Sequence, residues 1–269
     1  MPIPPSPPYH LGCVSYLNAI PLIAGLQEKH PDLLRISFDV PARLADDLLA
    51  GRYDLALCPV ADYIHHPNQL RLVSEAGGIA CHGPTLTVKV FARKPFTDCR
   101  TVAADTDSHT SVNLLRLLWP HHSQHPLALI PTNFNQTPAD TLHTDAALLI
   151  GDKVITAPPP TDTYPHTLDL GQAWRDRTSL PFVFATWMAR PTTNLADLPQ
   201  HMAAQLAYNL TRLPALAAQA ATDKHWPPDL ALQYMRDILH YPVGPDDLTA
   251  IERFQKDLHQ IQPATHINH

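Results

Sequence analysis

Basic residues and glycines are both scarce in this sequence of 269 residues, and each shortage excludes a class of protein. Lysine and arginine together number 19 against 25 acidic residues, so the net charge is −6 with neutral histidines. A nucleic-acid-binding protein needs a basic surface for the phosphate backbone, and nucleic acid is therefore not an expected partner. The 9 glycines form neither a phosphate-binding loop nor a dinucleotide fingerprint.

Cysteine is also rare and has no metal-binding spacing. The four cysteines are widely separated and include no C-x-x-C pair: Cys13, Cys58, Cys81 and Cys99. Cys13 and Cys58 lie in apolar, strand-like runs, so we expect buried free thiols there rather than ligands. No histidine cluster has a carboxylate or cysteine at ligand spacing either. The sequence therefore predicts no metal and no redox cofactor.

The first eight residues read M-P-I-P-P-S-P-P and lack both a positive charge and an apolar run. Signal peptides and membrane anchors need such features. We expect residues 1–8 to form a disordered tail, and we expect a cytoplasmic protein with no membrane partner.

The stretch from Thr101 to Leu118 has the composition of a ligand site. It begins with a short buried strand, continues with a polar run and ends with apolar residues at helical spacing. The start of such a helix has unpaired N–H groups and the positive end of the helix dipole, where a carboxylate can bind. The simpler alternative is that Ser108 or Thr110 only caps the helix.

The N-terminal part alternates between strand and helix patterns. Strands are predicted at 11–14, 35–40 and 54–58, with helices from Ile20 and from Pro41 between them. Asn18 can cap the first helix. This alternation predicts an α/β fold with an open parallel sheet, whose ligands bind beyond the carboxyl ends of the strands. The segment 15–18 and Pro59 lie at those ends.

Two further strands end in polar residues that can face a ligand. The segment 85–92 alternates, with Thr87 and Lys89 on the side opposite Val88 and Val90. Thr87 is either a ligand contact or a structural threonine. The apolar run 146–150 ends in a glycine followed by Asp152, which either faces the ligand or caps the next turn.

Several blocks of the sequence together resemble the chorismate dehydratase family of the futalosine route to menaquinone. The resemblance extends from about Leu11 to Arg190, and the blocks occur in the family's order. They are G-C-V-S-Y-L-N from Gly12, D-L-A-L-C-P-V from Asp54, D-T-D-S-H-T-S-V-N-L-L-R from Asp105, L-L-I-G-D from Leu148 and L-G-Q-A-W-R-D-R-T-S-L-P-F-V-F-A-T-W from Leu170.

The resemblance implies the two-lobed fold of type II periplasmic binding proteins, with a ligand cleft between the lobes. Residues 9–93 and 181–269 would form lobe one, and residues 94–180 would form lobe two. The two crossing strands would lie near 88–93 and 182–190. A related family, the 1,4-dihydroxy-6-naphthoate synthases, typically begins with an S-P-C-P-N-D-type segment, whereas this chain has S-Y-L-N.

The implied activity is that of a carbon–oxygen lyase, a hydro-lyase that removes water from chorismate to give 3-[(1-carboxyvinyl)oxy]benzoate. The substrate is a small dicarboxylate, and the reaction needs no cofactor. By resemblance, Asn18 is the catalytic residue at the departing hydroxyl. The implied substrate-binding residues are Ser15, Tyr16, Thr87, Ser108, His109, Thr110, Ser111 and Asp152. His109 stands where arginine is common in the family, and Thr87 stands where serine is usual.

The origin of the base remains open at this point. Either the enolpyruvyl carboxylate of the substrate removes the ring proton, or His109 does so. Two other functions also remain as alternatives: the naphthoate synthase of the same pathway and a non-catalytic protein that binds small anions.

Overall fold

The computed structural model of the chain describes residues 9–261, and its strands form two separate sheets. The predicted tail at 1–8 and the last eight residues of the predicted lobe one lie outside this range. In chain order the strands are β1 (Tyr9–Cys13), β2 (Leu34–Phe38), β3 (Leu55–Pro59), β4 (Arg71–Leu72), β5 (Gly78–Cys81), β6 (Val88–Ala92), β7 (Thr101–Asp105), β8 (Ala128–Thr132), β9 (Ala146–Ile150), β10 (His166–Asp169), β11 (Phe182–Ala189) and β12 (Leu239–His240).

Eleven α-helices are assigned among the described residues. They are α1 (Ile20–Ile23), α2 (Leu26–Lys29), α3 (Pro41–Leu49), α4 (Val60–His65), α5 (His109–Leu118), α6 (Lys153–Thr156), α7 (Leu170–Thr178), α8 (Leu198–Thr211), α9 (Leu213–Lys224), α10 (Pro228–Gln233) and α11 (Pro245–Gln260). Helices α3, α8, α9 and α11 each have proline in the first turn. Proline costs no hydrogen bond there, because the first N–H groups of a helix have no acceptor within it.

The first sheet has the order β12-β5-β11-β3-β1-β2, with β4 paired to β11. Strand β1 is parallel to both β2 and β3, as the alternating pattern predicts. Helix α3 packs Leu44 and Leu48 into the core with no exposed surface. Burying each such leucine contributes about 1.5–3 kcal/mol to the stability of the folded state. The predicted α/β fold class is confirmed.

The second sheet has the order β10-β6-β9-β7-β8 and consists of the strands between residues 88 and 169. We call the part of the chain built on the seven-stranded sheet the first lobe and the part built on this sheet the second lobe. The chain passes between the two sheets through 82–87 and through 170–181.

The prediction that the chain crosses between the lobes in the strands near 88–93 and 182–190 is wrong in detail. Strand β6 pairs with β9 and β10 and lies wholly in the second sheet, whereas β11 lies wholly in the first. Alternation in 85–92 and an apolar run in 182–190 predicted both segments as strands, but such patterns carry no information about the partners of a strand. The lobe division at residues 93 and 181 stays a prediction.

The four cysteines are buried and free, as predicted for Cys13 and Cys58. Burial raises the pKa of Cys13 to about 12, so its thiol is not a nucleophile near neutral pH. Within residues 9–261, no helix has both the length and the apolar composition needed to cross a membrane.

Candidate functional site

A cavity lies between the two sheets and is lined by residues of both lobes. Most of the wall is apolar and includes Val14, Leu57 and Ile79 of the first lobe and Val88 and Ile150 of the second. The polar lining consists of hydroxyl groups and one amide: Tyr16, Asn18, Thr85, Thr87, Ser108, Thr110, Ser111 and Tyr234.

The first turn of helix α5 supplies three of these hydroxyl groups. Ser108 is the N-cap, and its Oγ accepts a hydrogen bond of 3.1 Å from the backbone N–H of Ser111. The Ser108 hydroxyl in turn donates to the Ser111 Oγ at 2.9 Å. The Ser111 hydroxyl therefore keeps its own proton for a ligand. The strand and helix predicted for this stretch are confirmed as β7 and α5.

We expect Ser108→Ala to lower the free energy of unfolding by about 1 kcal/mol, because the N–H of Ser111 loses its cap. Chemical denaturation followed by circular dichroism measures this change. Ser74→Ala, at a half-buried serine outside any helix cap, is the matched control. Equal stability of the two variants would show that the cap contributes nothing.

Thr87 and Asn18 meet a residue that sequence reasoning missed. The hydroxyl groups of Thr87 and Tyr234 lie 2.6 Å apart, and burial raises the pKa of Tyr234. The Oδ1 atom of Asn18 is buried and has no hydrogen-bond partner. Tyr234 opens a π-helical turn at Tyr234–Ile238 in the C-terminal region. Such turns are frequent at functional sites, but nothing in the sequence indicates one here.

The segment 17–19 is a single 3₁₀ turn, and helix α1 begins at Ile20 after Ala19 as its N-cap. The prediction that Asn18 caps the first helix is therefore wrong. The preceding backbone is extended at Tyr16, and the side chain of Asn18 contributes to the cavity wall instead. An amide that can serve as a cap can equally contact a ligand, and the sequence alone does not distinguish these uses.

Tyr16 of the first lobe packs against Gly151 of the second. A Cβ at Gly151 would meet the Tyr16 ring at 3.1–3.2 Å, and Gly151 also has a positive φ of 70°. Both observations account for glycine at this position. Burial raises the pKa of Tyr16, and the nearby carboxylates of Asp107 and Asp105 raise it further.

Three predicted site residues are not in the cavity wall. Ser15 is exposed, because successive side chains of an extended segment point to opposite sides and its neighbours Val14 and Tyr16 face the cavity. Asp152 accepts the backbone N–H of Leu17 with both carboxylate oxygens at 3.2 Å. This contact joins the lobes, and no capping bond of Asp152 to the next helix is present. Burial raises the pKa of Asp152.

His109 lies at the rim, with 37% of its side chain exposed. Its Nδ1 atom is 2.7 Å from Oδ1 of Asp62, a carboxylate of the first lobe. This hydrogen bond raises the pKa of His109 above the ordinary 6.5, although burial opposes the rise. The histidine therefore carries a positive charge over a wider pH range than a free imidazole does.

A buried ionic network lies behind the wall of the second lobe. Lys153 Nζ is 2.8 Å from Asp105 and 3.0 Å from Asp107, and only 13% of the lysine side chain is exposed. Asn135 also donates to Asp107 at 3.0 Å. Both aspartates belong to the stretch singled out by sequence, but the role of Lys153 was missed. Within residues 9–261, no group of three or more His, Cys, Asp or Glu side chains is arranged for a metal ion.

A family model described as menaquinone biosynthesis matches residues 9–260. The chain belongs to this family. A protein named chorismate dehydratase, from Thermus thermophilus, is 32% identical to this chain over 205 residues. The match covers 68% of this chain and 70% of the relative. These two matches confirm the predicted resemblance of the chain to the chorismate dehydratases.

Solved structures establish the fold of this family member. Protein AF1704 of Archaeoglobus fulgidus matches with a TM-score of 0.72 at 13% identity, over 94% of this chain and 97% of that one. The alkanesulfonate-binding protein SsuA of Xanthomonas axonopodis pv. citri, bound to MOPS, matches with a TM-score of 0.68 at 15% identity, over 94% and 92%. The predicted periplasmic-binding-protein-like fold is confirmed.

Proposed function

We propose that this chain is a chorismate dehydratase, a hydro-lyase that converts chorismate to 3-[(1-carboxyvinyl)oxy]benzoate. The observation that carries the proposal is the interlobe cavity, where a buried amide oxygen without a partner lies among hydroxyl groups. A ligand group that donates a hydrogen bond to this oxygen would remove the cost of leaving it unpaired. The choice of chorismate as the substrate follows from the name of the relative, a chorismate dehydratase. We also propose a cytoplasmic location, in line with a biosynthetic role.

One substrate carboxylate would bind at the first turn of α5. The hydroxyl groups of Thr110 and Ser111 can both donate to it, since each oxygen already accepts a hydrogen bond from the protein. The first backbone N–H groups of the helix and its dipole add to this attraction. Ser108 holds the turn in place. The cavity lining includes no lysine or arginine, so hydroxyl and backbone donors would carry most of the binding.

The reaction itself would occur at Asn18. In the proposed step the enolpyruvyl carboxylate of the substrate takes a ring proton, the ring C–O bond breaks, and the departing hydroxyl receives that proton from the carboxyl group and leaves as water. The electron pair of the broken C–H bond completes the aromatic ring. The side-chain NH2 group of Asn18 would stabilise the departing oxygen by donating a hydrogen bond to it. Thr87, Tyr234 and Tyr16 would hold the ring in the required orientation.

His109 is the competing base. Its position at the rim and its hydrogen bond to Asp62 favour a role as a cation over one as a base. If it is a cation, His109→Asn raises KM and leaves kcat within a few-fold of the original value. Abolished turnover with intact substrate binding would instead support His109 as the base. Steady-state kinetics together with calorimetric titration of chorismate separates these outcomes.

Incubation of purified protein with chorismate, without added cofactor or metal, tests the proposal. Chromatography with mass detection should show an enzyme-dependent product that has lost one water and become aromatic. Unchanged chorismate would contradict the proposal. The cyclic futalosine precursor is then the next substrate, because its conversion would support the naphthoate synthase. Binding of either compound without turnover would support a non-catalytic binder.

A further inference from the structure

Two helices of different lobes meet at the rim of the cavity. Helix α4 follows strand β3 of the first sheet, and helix α5 follows strand β7 of the second. The Thr110 Oγ1 atom accepts the backbone N–H of Ala61 at 3.1 Å. One residue further along α4, Asp62 contacts His109 at 2.7 Å. Both contacts therefore bridge the lobes without involving the chain crossings.

Asp62 is placed where an unpaired carboxylate would be costly. The residue is 4% exposed, and its Oδ2 atom is buried without a hydrogen-bond partner. Its Oδ1 atom is paired with the imidazole of His109. Removing one partner of such a pair leaves a buried charge uncompensated. Burial of the Asp62 carboxylate is therefore energetically favourable only while His109 of the second lobe is hydrogen-bonded to it.

We propose that Asp62 is a positioning residue for substrate binding, which holds His109 across the lobe boundary so that the first turn of α5 closes over the cavity. The contact also keeps a cation beside a dianionic ligand whose cavity lacks lysine and arginine in its lining. The ligand identity rests on the proposed function, whereas the bridging role of Asp62 does not. Asp62 does not itself line the cavity.

The bridge weakens as pH rises. Other charged groups near His109 are Asp46 on α3 and His65 on α4, and Arg116 of α5 acts on His65. Arg177 of α7 and Asp257 of α11 meet α5 near its other end, where Arg177 contacts the Leu117 carbonyl. Because the pKa of His109 is raised in the fold, its stabilisation is complete below 6.5 and is lost as pH rises through the raised pKa.

The first test needs no substrate and uses Asp62→Asn. Histidine-labelled protein is titrated by NMR, and His109→Gln identifies the His109 signal among the 17 histidines. We expect the pKa of His109 to fall in Asp62→Asn, and small-angle scattering to show a larger radius of gyration because the lobes separate. Asp46→Asn removes an exposed carboxylate that acts only through space. This control should leave the radius of gyration unchanged.

The second test measures KM and kcat for chorismate from pH 5.5 to 9. In Asp62→Asn, KM at pH 7.5 should rise about tenfold, which corresponds to about 1.4 kcal/mol of binding free energy, while kcat changes by less than about threefold. The rise of KM with pH should begin at lower pH than in the original protein. Asp62→Glu, which keeps the charge, should recover part of the affinity.

An unchanged pKa of His109 together with an unchanged radius of gyration would overturn the inference. So would a fall in kcat at constant KM. If Asp62→Asn fails to fold, His109→Gln provides the same scattering and KM measurements. If the original protein does not convert chorismate but the pKa and the radius shift as expected, the proposed substrate is wrong and the positioning role of Asp62 stands.

Discussion

Replacing Asn18 with alanine is expected to lower kcat by about two to three orders of magnitude, the usual effect of deleting a donor to a developing negative charge. KM should change by less than about tenfold, because the proposed carboxylate site is at α5 and not at Asn18. Single-turnover kinetics with chorismate, combined with calorimetric binding, separates the two effects. The physical reason is that the departing oxygen gains charge only as the C–O bond breaks.

Asn194→Ala is the matched control for this variant. Asn194 is an exposed asparagine outside the cavity lining, and its loss should leave kcat unchanged. An unaltered kcat in Asn18→Ala would remove Asn18 from the mechanism. A proportional loss of binding and turnover would place its role in substrate binding alone.

Lys153→Met is expected to lower the free energy of unfolding by about 3–5 kcal/mol, because it leaves Asp105 and Asp107 as uncompensated buried carboxylates. The Asp105 side chain has no exposed surface, and burial already raises its pKa. A protonated carboxyl does not need the lysine, so the loss should be larger at pH 8 than at pH 5. Denaturant titrations of the original protein and of Lys153→Met at both pH values measure this loss of stability.

Two further variants make the Lys153 prediction specific. Lys94→Met removes an ion pair of 2.7 Å with Asp145 whose lysine is 41% exposed, and it should cost less than about 1 kcal/mol. Adding Asp105→Asn to Lys153→Met should recover part of the lost stability. Equal losses in the two lysine variants would mean that burial of the Lys153 network has no energetic effect.

Local patterns in the sequence were sufficient for much of the fold and for the helix at the site. Short runs of apolar and small residues located β1, β3 and β7, and Pro41 and Gly51 marked the limits of α3. The hydroxyl run before Val112 located the first turn of α5. These features depend on residues within one or two turns of each other, which is the range over which a periodic pattern carries information.

Other features of the site depend on residues far apart in the chain. The pair between His109 and Asp62 spans 47 positions, and the contact between Thr87 and Tyr234 spans 147. Such pairs arise only when the two sheets pack together, so no local pattern marks them. The same reason explains why the partners of β6 were not predicted.

The central claim is that chorismate binds in the interlobe cavity and loses water there. A crystal structure of Asn18→Ala, which should bind chorismate without converting it rapidly, tests this claim most directly. We expect one carboxylate of chorismate within hydrogen-bond distance of the Thr110 and Ser111 hydroxyl groups. We expect the ring hydroxyl of chorismate to lie beside position 18. Chorismate bound elsewhere, or an empty cavity at saturating concentration, would contradict it.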